Sequence, residues 1–291
     1  MNLSATSVGL ATLLVLASGC ASLPEPTCPR DPRVSPVAAD WREGRAQQKT
    51  GIALRDAVCF RKHLMRELAP QLGPVVGYKV GIYTQAAQRN FGTNRPAIGV
   101  LHRGMLVRAG KPVALRSAFA PVAEADFVLV VKDDGINRAR TREEAFRHLR
   151  GDRPFIDIPD NHFPAGTKVT AGELVALNVN ARMGVLGEEV ALPQTAEALA
   201  GLTNLSAELA VEGPFGPKRG EGRAVNTLAD PLEIVLFARD ALAREGGRLK
   251  AGDLISLGTL MPPHAPRPGE TIRVRYRVLA QPSEISVSFA E

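Results

Sequence analysis

The stretch Glu124-Ala-Asp-Phe-Val-Leu-Val-Val131 opens with two acidic residues and continues as an apolar run rich in valine. Such a run predicts a buried strand. Because residues i and i+2 of a strand point to the same face, we expect the carboxylates of Glu124 and Asp126 to lie side by side. Buried carboxylates at this spacing repel each other unless a cation separates them or one of them holds a proton. Taken alone, the pair fits either a solvated strand start or a metal site.

The patterns around this strand predict an α+β protein that is rich in strands. Apolar residues at helical spacing predict a helix over 56–68 that ends at Pro70, and Asp230-Pro231 has the sequence of a second helix start. Further strands are predicted over 174–177, 254–257, 272–278 and 285–289. Helical and strand patterns do not alternate along the chain, which argues against a doubly wound parallel sheet.

The N-terminal segment indicates export. The apolar stretch over 8–17 is shorter than the roughly 20 residues that span a bilayer, and it leads to Ser18-Gly-Cys20. This arrangement resembles a bacterial lipoprotein signal peptide over 1–20, with Cys20 as the lipidated residue. We therefore expect a cell-envelope protein that faces the periplasm and touches the membrane through its lipid anchor only. An ordinary secreted protein, or a cytoplasmic one with a misassigned start, is the alternative.

The rest of the chain predicts a Pro-rich tether over 21–37 and a single domain over 38–291, since no repeat or second linker divides it. Cys28 and Cys59 form an even pair once Cys20 is lipidated. A disulfide between them is compatible with an oxidising compartment, but sequence separation does not determine their distance. The net charge of +6 is spread along a chain with few aromatic residues, so no nucleic-acid partner is expected.

Several short motifs follow one another along the chain. They are Gly77-Tyr-Lys-Val-Gly81, the segments 88–92 and 96–101, Glu124-Ala-Asp126, Phe155-Ile-Asp157, Asn180-Ala-Arg-Met-Gly184 and the segment 250–260. In this order they resemble the 2-oxopent-4-enoate hydratase group of the fumarylacetoacetate hydrolase superfamily. The resemblance runs from about residue 55 to the C-terminus. It implies a mixed β-roll with a few peripheral helices.

The resemblance also implies a divalent metal, magnesium or manganese, held by Glu124, Asp126 and Asp157. Hard carboxylate oxygens are the ligands that such ions prefer. Two of the three positions carry Asp where the group has Glu, and each replacement shortens the side chain by one methylene. A shifted, weaker or absent metal therefore stays an alternative.

The same resemblance assigns roles around the implied metal. Lys79 would face the carboxylate or enolate of a substrate, Lys168 falls near a second basic position of the group, and Asn180 would hydrogen-bond to substrate or water. Gly77, Gly81, Gly258 and Thr259 would complete the substrate-binding surface.

The implied reaction is that of a hydro-lyase of aromatic catabolism, acting as a homo-oligomer. It would add water to a 2-hydroxydienoate or 2-oxo-enoate such as 2-oxopent-4-enoate, giving a 4-hydroxy-2-oxoacid. Asn94 and Ala97 stand where the group has acidic residues, so two alternatives stay open. One is an oxoacid decarboxylase or acylpyruvate-type hydrolase, for which His162 is the candidate pocket histidine. The other is a non-catalytic envelope lipoprotein that binds an oxoacid.

Overall fold

The computed structural model of the chain describes residues 28–224, 230–277 and 282–291. The predicted signal peptide, with Cys20, lies outside the described residues. The helices are α1 (Val34–Arg42), α2 (Leu54–Leu72), α3 (Gln85–Phe91), α4 (Arg142–Arg147), α5 (Ala171–Ala176), α6 (Ala196–Thr203) and α7 (Pro231–Arg244). The strands are β1 (Val75–Gly81), β2 (Ala97–His102), β3 (Leu106–Arg108), β4 (Val113–Ala114), β5 (Glu124–Val131), β6 (Leu149–Ile158), β7 (Met183–Leu186), β8 (Val190–Ala191), β9 (Ser206–Glu212), β10 (Lys218–Arg223), β11 (Leu254–Ser256), β12 (Thr271–Arg277) and β13 (Pro282–Ala290).

The strands form two sheets of mixed direction. The larger sheet has the order β2-β1-β11-β5-β6-β7-β3, with β8 added to β6, and the smaller one has the order β10-β9-β12-β13-β4. Strand β1 runs parallel to β11, whereas β5 is antiparallel to both β11 and β6. The α+β class and the strand-rich mixed architecture expected from the sequence are confirmed.

The apolar run that follows Glu124 fills the centre of the molecule. Phe127, Leu129 and Val131 point into the largest core cluster, where they meet residues of the smaller sheet such as Tyr276. Val128 and Val130, on the opposite face of β5, pack in a separate small cluster with Phe155. Strand β5 is therefore covered on both faces, which explains its nearly continuous apolar sequence.

Two predicted elements have the expected form. Helix α7 begins after Asp230, whose carboxylate accepts a hydrogen bond from the backbone N–H of Leu232 at 2.9 Å. Strands β12 and β13 pair antiparallel, with Val274 opposite Ile285. Alternating side chains of β12 are buried, while Arg273 and Arg275 are exposed and pair with Glu284.

Two local predictions are wrong. Residues 174–177 do not form a strand, because Thr170 and Glu173 make a reciprocal capping box that starts helix α5 instead. Pro70 does not end α2, which continues to Leu72 and stops at Gly73. A proline in the last turn removes one hydrogen bond, and the buried Leu72 keeps this turn packed against the protein.

The described part of the predicted tether, residues 28–37, belongs to the folded protein. Cys28 forms a disulfide with Cys59 of α2, and the chain is already helical from Val34. Trp41 of α1 is buried, and the guanidinium of Arg182 stacks on its ring at 3.6 Å. The segment preceding residue 38 is thus partly integrated into the fold, while the division into one domain stays a prediction. Within the described ranges, none of the helices is both long and apolar enough to span a membrane.

Candidate functional site

The two acidic residues at the start of β5 lie on the same face of the larger sheet as Asp157. Glu124 is directly opposite Asp157 in the β5–β6 pair, and Asp126 is two residues further along β5. Directly opposite residues of neighbouring strands share a face. Asp126 and Asp157 are fully buried, and Glu124 is half-buried. The structure therefore places on one face the three carboxylates that the resemblance implied as metal ligands.

Lys79 of β1 reaches the same face. It lies opposite Ser256 of β11, which in turn lies opposite Val128 of β5. Its ammonium forms an ion pair with Asp157, although two strands separate β1 from β6. Strands β1 and β6 would be about 14 Å apart in a flat sheet. The sheet must therefore curl, so that these side chains line its concave face.

Three donors fix the orientation of Asp126. Its Oδ1 atom accepts hydrogen bonds from the backbone N–H of Gly258 at 2.8 Å and from that of Phe127. Its Oδ2 atom accepts one from the hydroxyl of Ser256. The residue pattern of 250–260 had suggested a role for Gly258 but not for Ser256. The hydroxyl group at position 256 belongs to the site because β11 lies between β1 and β5.

The charges in this cluster perturb one another. Burial raises the pKa of Glu124 to about 7, with Lys79 opposing the rise and Asp157 adding to it. Burial also raises the pKa of Asp126 to about 6, again with a contribution from Asp157. For Lys79, burial disfavours the charge, but the carboxylates of Asp157 and Glu124 outweigh it and raise its pKa above the ordinary value. The repulsion expected from the sequence is thus relieved by the lysine and by a proton on Glu124 below neutral pH.

The residues at this face have the chemistry of a site for a hard divalent cation. They offer carboxylate oxygens, and the buried Oδ1 atom of Asp157 has no hydrogen-bond donor among the described residues. As the side chains stand, no group of three acidic, histidine or cysteine residues in the described ranges converges closely enough to hold a metal ion. Lys79 lies against the other oxygen of Asp157. Metal ligation by Glu124, Asp126 and Asp157 therefore stays a prediction.

A separate cavity of about 310 Å³ brings together Lys168, Asn180 and His162. Lys168 is exposed, while the amide of Asn180 donates a hydrogen bond to the side-chain oxygen of Asn161 at 3.3 Å. His162 is 1% exposed, and its ring nitrogens lack hydrogen bonds among the described residues. Burial lowers the pKa of His162 to about 4, so its ring is neutral at pH 7.

The glycines expected at a substrate surface have structural explanations at two positions. A Cβ atom at Gly77 would come within 2.2 Å of the carbonyl oxygen of Leu254, and one at Gly81 would meet the Val179 side chain at 2.4 Å. Gly77 thus allows β1 and β11 to pair closely. Gly258 contributes its N–H to Asp126, whereas the hydroxyl of Thr259 donates to the carbonyl of Met261 at 2.6 Å. Substrate contact by these residues stays a prediction.

A strained turn covers the end of β1 beside Lys79. Asn178, Val179 and Asn180 all have positive φ angles between 54° and 58°, as does Ile82 at 57°. Consecutive left-handed residues other than glycine are unfavourable. The side chain of Asn178 holds the turn by exchanging two hydrogen bonds with the backbone of Val100, at 2.7 and 2.8 Å. The resemblance assigned a role to Asn180, but the sequence did not reveal the conformation of this turn.

A histidine–glutamate pair that the sequence did not reveal lies on the opposite side of the sheet from the acidic face. The Nε2 atom of His264 is 2.9 Å from a carboxylate oxygen of the buried Glu270. His264 also pairs through its backbone with Ala123, the residue before Glu124. Ala123 belongs to the opposite, core-facing side of the strand. The sheet therefore separates this pair from Lys79 and the three carboxylates.

Comparisons with known proteins agree with the fold and the motifs. The chain is 29% identical over 212 residues to 2-keto-4-pentenoate hydratase 2 of Dechloromonas aromatica, covering 72% of this chain and 78% of that protein. It is 27% identical over 241 residues to 2-keto-4-pentenoate hydratase of Burkholderia vietnamiensis, covering 80% and 89%.

A solved structure shares the architecture. It is 4-oxalocrotonate decarboxylase from Pseudomonas putida G7, complexed with magnesium and adipate, which superposes with a TM-score of 0.76 at 20% identity, covering 88% of this chain and 95% of that one. No protein-family model matches the chain. The chain therefore has the fold of this decarboxylase, and its sequence is related to those of 2-keto-4-pentenoate hydratases, as the order of its motifs predicted.

Proposed function

We propose that this protein is a divalent-metal-dependent hydro-lyase that adds water to a 2-hydroxydienoate or 2-oxo-enoate such as 2-oxopent-4-enoate. The observation that carries the proposal is the concave face on which a buried lysine meets three carboxylates. The sequence relationship to hydratases, which extends over most of the chain, supports the same reaction class.

Glu124, Asp126 and Asp157 would hold the metal, which is magnesium or manganese. A bound divalent ion supplies positive charge that withdraws electrons from a 2-oxo group. The donor-free oxygen of Asp157 and the raised pKa values of the other two carboxyl groups support this assignment, because a cation would relieve the charge that the fold confines here. The magnesium bound to the decarboxylase that shares this fold is a further support.

The chain's own residues would position the substrate and its charge. Lys79 keeps its ammonium charged inside the protein, which suits it to stabilise the negative charge that develops when a dienol ketonises. Gly258 and Ser256 keep Asp126 in one orientation. Lys168 and Asn180 share a cavity beyond the strained turn, where we propose that they contact the remainder of the oxoacid.

A turnover experiment tests the proposal. The protein lacking residues 1–20 is mixed with manganese and 2-hydroxypenta-2,4-dienoate while the dienol absorbance is followed. We expect metal-dependent loss of the dienol with formation of 4-hydroxy-2-oxopentanoate, abolished by Glu124→Gln and retained by the exposed control Glu188→Gln. Carbon dioxide released from a 2-oxo-dicarboxylate would indicate a decarboxylase instead. Manganese binding without any turnover would contradict the enzymatic proposal.

A non-catalytic oxoacid-binding protein is the second candidate. It is favoured by the arrangement of the side chains, in which the ammonium of Lys79 forms an ion pair with Asp157 and the carboxylates of the described residues do not converge on a metal position. Such a protein would bind 2-oxopentanoate equally well in manganese and in a chelator. The hydro-lyase requires that the chelator weaken both binding and turnover, so one titration separates the two candidates.

We also propose that the protein is lipid-anchored through Cys20 in the cell envelope, facing the periplasm. The disulfide between Cys28 and Cys59 supports this location, because such bonds persist in oxidising compartments. Radiolabelled palmitate should label the wild-type protein and not Cys20→Ser.

A homo-oligomer is proposed as well, and sedimentation of the purified protein tests it.

A further inference from the structure

A large cavity lies away from the acidic face, between helix α2, the loop that follows α3, and the C-terminal half of α7. Its volume is about 980 Å³, which is at the upper end of ligand-sized cavities. The apolar part of its wall is formed by Leu54, Val58, Ile82, Val175 and Phe237. Leu54 is 45% exposed, Val58 and Phe237 are partly exposed, and Ile82 and Val175 are buried. The described residues therefore leave part of this apolar wall uncovered.

Positive charge surrounds this apolar wall. The basic residues that line the cavity are Arg55, Arg61, Lys62, Arg95 and Arg244, against a single acidic residue, Glu245. Arg95 and Arg244 are exposed, and neither forms a side-chain hydrogen bond or an ion pair within 4 Å in the described part of the chain. Two guanidinium groups are thus available to a ligand at the rim.

A buried arginine connects the rim to the interior of the cavity. Arg61 is 2% exposed, and its guanidinium donates to the carbonyl of Ile98 and to the carboxylate of Glu245. Its Nε atom has no hydrogen-bond acceptor among the described residues. A buried donor without an acceptor is unfavourable and points to an oxygen-bearing ligand. The Cys28–Cys59 disulfide lies in the same wall and fixes the chain beside it.

We infer that this cavity binds a single-chain amphiphile with an anionic head group, and that its ligand is a medium-chain fatty acid. Arg95 and Arg244 would bind the carboxylate, because a guanidinium donates two parallel hydrogen bonds to it. The alkyl chain would lie on Leu54, Val58 and Phe237. Burial of its methylenes against this wall would add to the affinity. None of the residues that line the cavity belongs to the acidic face formed by Lys79, Glu124, Asp126 and Asp157.

Calorimetric titration of the purified protein with decanoate, below its micellar concentration, tests the inference. We expect saturable binding with a 1:1 stoichiometry, and much weaker binding of decanol, which lacks the charge, and of butyrate, which lacks the tail. The double variant Arg95→Gln/Arg244→Gln should lower the affinity at least about tenfold. The control Arg103→Gln/Arg108→Gln removes the same charge from exposed positions outside the cavity and should bind within about twofold of the wild type.

A third variant, Val58→Asp, places a charge on the apolar wall and should abolish decanoate binding. Thermal unfolding of every variant shows whether it is folded, so that a loss of affinity is not confused with a loss of structure. No saturable binding to the wild type would overturn the inference. So would equal affinities of the two double variants, or equal affinities for decanoate and decanol. A wild-type dimer that Arg95→Gln/Arg244→Gln dissociates would also overturn it, because the cavity would then be a contact between copies.

Discussion

Replacing Glu124 by glutamine should stabilise the metal-free protein and weaken its response to metal. The carboxyl group of Glu124 has a pKa of about 7 in the fold, raised from 4.5 by burial and by its acidic neighbours. Its protonated form is therefore favoured in the folded state. The stability that this group provides at low pH is lost as the pH rises from about 4.5 to 7. Glutamine resembles the protonated form in shape and never acquires the charge.

The magnitude follows from the pKa shift. One unit corresponds to about 1.4 kcal/mol, so the full shift amounts to about 3 kcal/mol above pH 7. The half-buried position of Glu124 reduces this to about 2 kcal/mol. At pH 8 in a chelator, Glu124→Gln should accordingly be about 2 kcal/mol more stable than the wild type. At pH 4, below both pKa values, the two proteins should be equally stable.

Manganese should reverse this order. A ligand at one hundred times its Kd adds about 2.7 kcal/mol to the folded state. The wild type would gain most of this stabilisation, while the variant lacks one of the three carboxylates proposed to hold the metal. Urea unfolding at pH 4 and pH 8, each with chelator or with manganese, measures the difference in the free energy of unfolding between variant and wild type under all four conditions. Glu188→Gln, at an exposed position, is the matched control and should differ little from the wild type in all of them. A variant that is less stable than the wild type at pH 8 in chelator, or a stability difference that does not depend on pH, would show that the charge of Glu124 does not destabilise the metal-free protein.

Three further perturbations test the packing around the site. Lys79→Met would leave the buried carboxylate of Asp157 without its cation and should lower the free energy of unfolding by about 3 kcal/mol, measured in urea at pH 8 in chelator. An unchanged unfolding midpoint would show that the ion pair does not stabilise the protein. Gly77→Ala would place a Cβ atom 2.2 Å from the backbone oxygen of Leu254, so we expect little folded protein. Near-ultraviolet circular dichroism measures the folded fraction. A wild-type spectrum of the variant would contradict the close pairing of β1 and β11. Cys59→Ser would remove a cross-link between residues 31 apart and should lower the free energy of unfolding by about 3 to 4 kcal/mol. The same loss is expected when the wild type is reduced, and insensitivity of its thermal midpoint to reductant would argue against the disulfide.

The acidic pair at the start of β5 shows how much of the candidate site the local sequence pattern can predict. The period of two along a strand was sufficient to predict that Glu124 and Asp126 share a face. It did not show whether a nearby cation or a bound proton relieves the repulsion between the two carboxylates in the fold. Lys79 is 45 positions away from Glu124 in the sequence, and its approach to Asp157 depends on the curl of the whole sheet.

The wrong predictions have a similar origin. The apolar run over 174–177 is too short for its periodicity to distinguish a strand from a buried helix, and the capping box at Thr170 decides in favour of the helix. Pro70 is a helix breaker by propensity, but tertiary packing of Leu72 outweighs the loss of one hydrogen bond.

Sequence pattern was sufficient to predict the strand-rich α+β class, the helix that begins after Asp230 and the paired C-terminal strands, and the order of the motifs related the chain to hydratases. These features depend on side-chain periodicity, on caps and on residues adjacent in the chain. The folded structure was needed to show that Lys79 meets Asp157, that Ser256 orients Asp126 and that Lys168, Asn180 and His162 share a cavity. Such contacts join strands and loops that are distant in sequence, and their distances are set by the curvature and packing of the sheets, which no local pattern encodes.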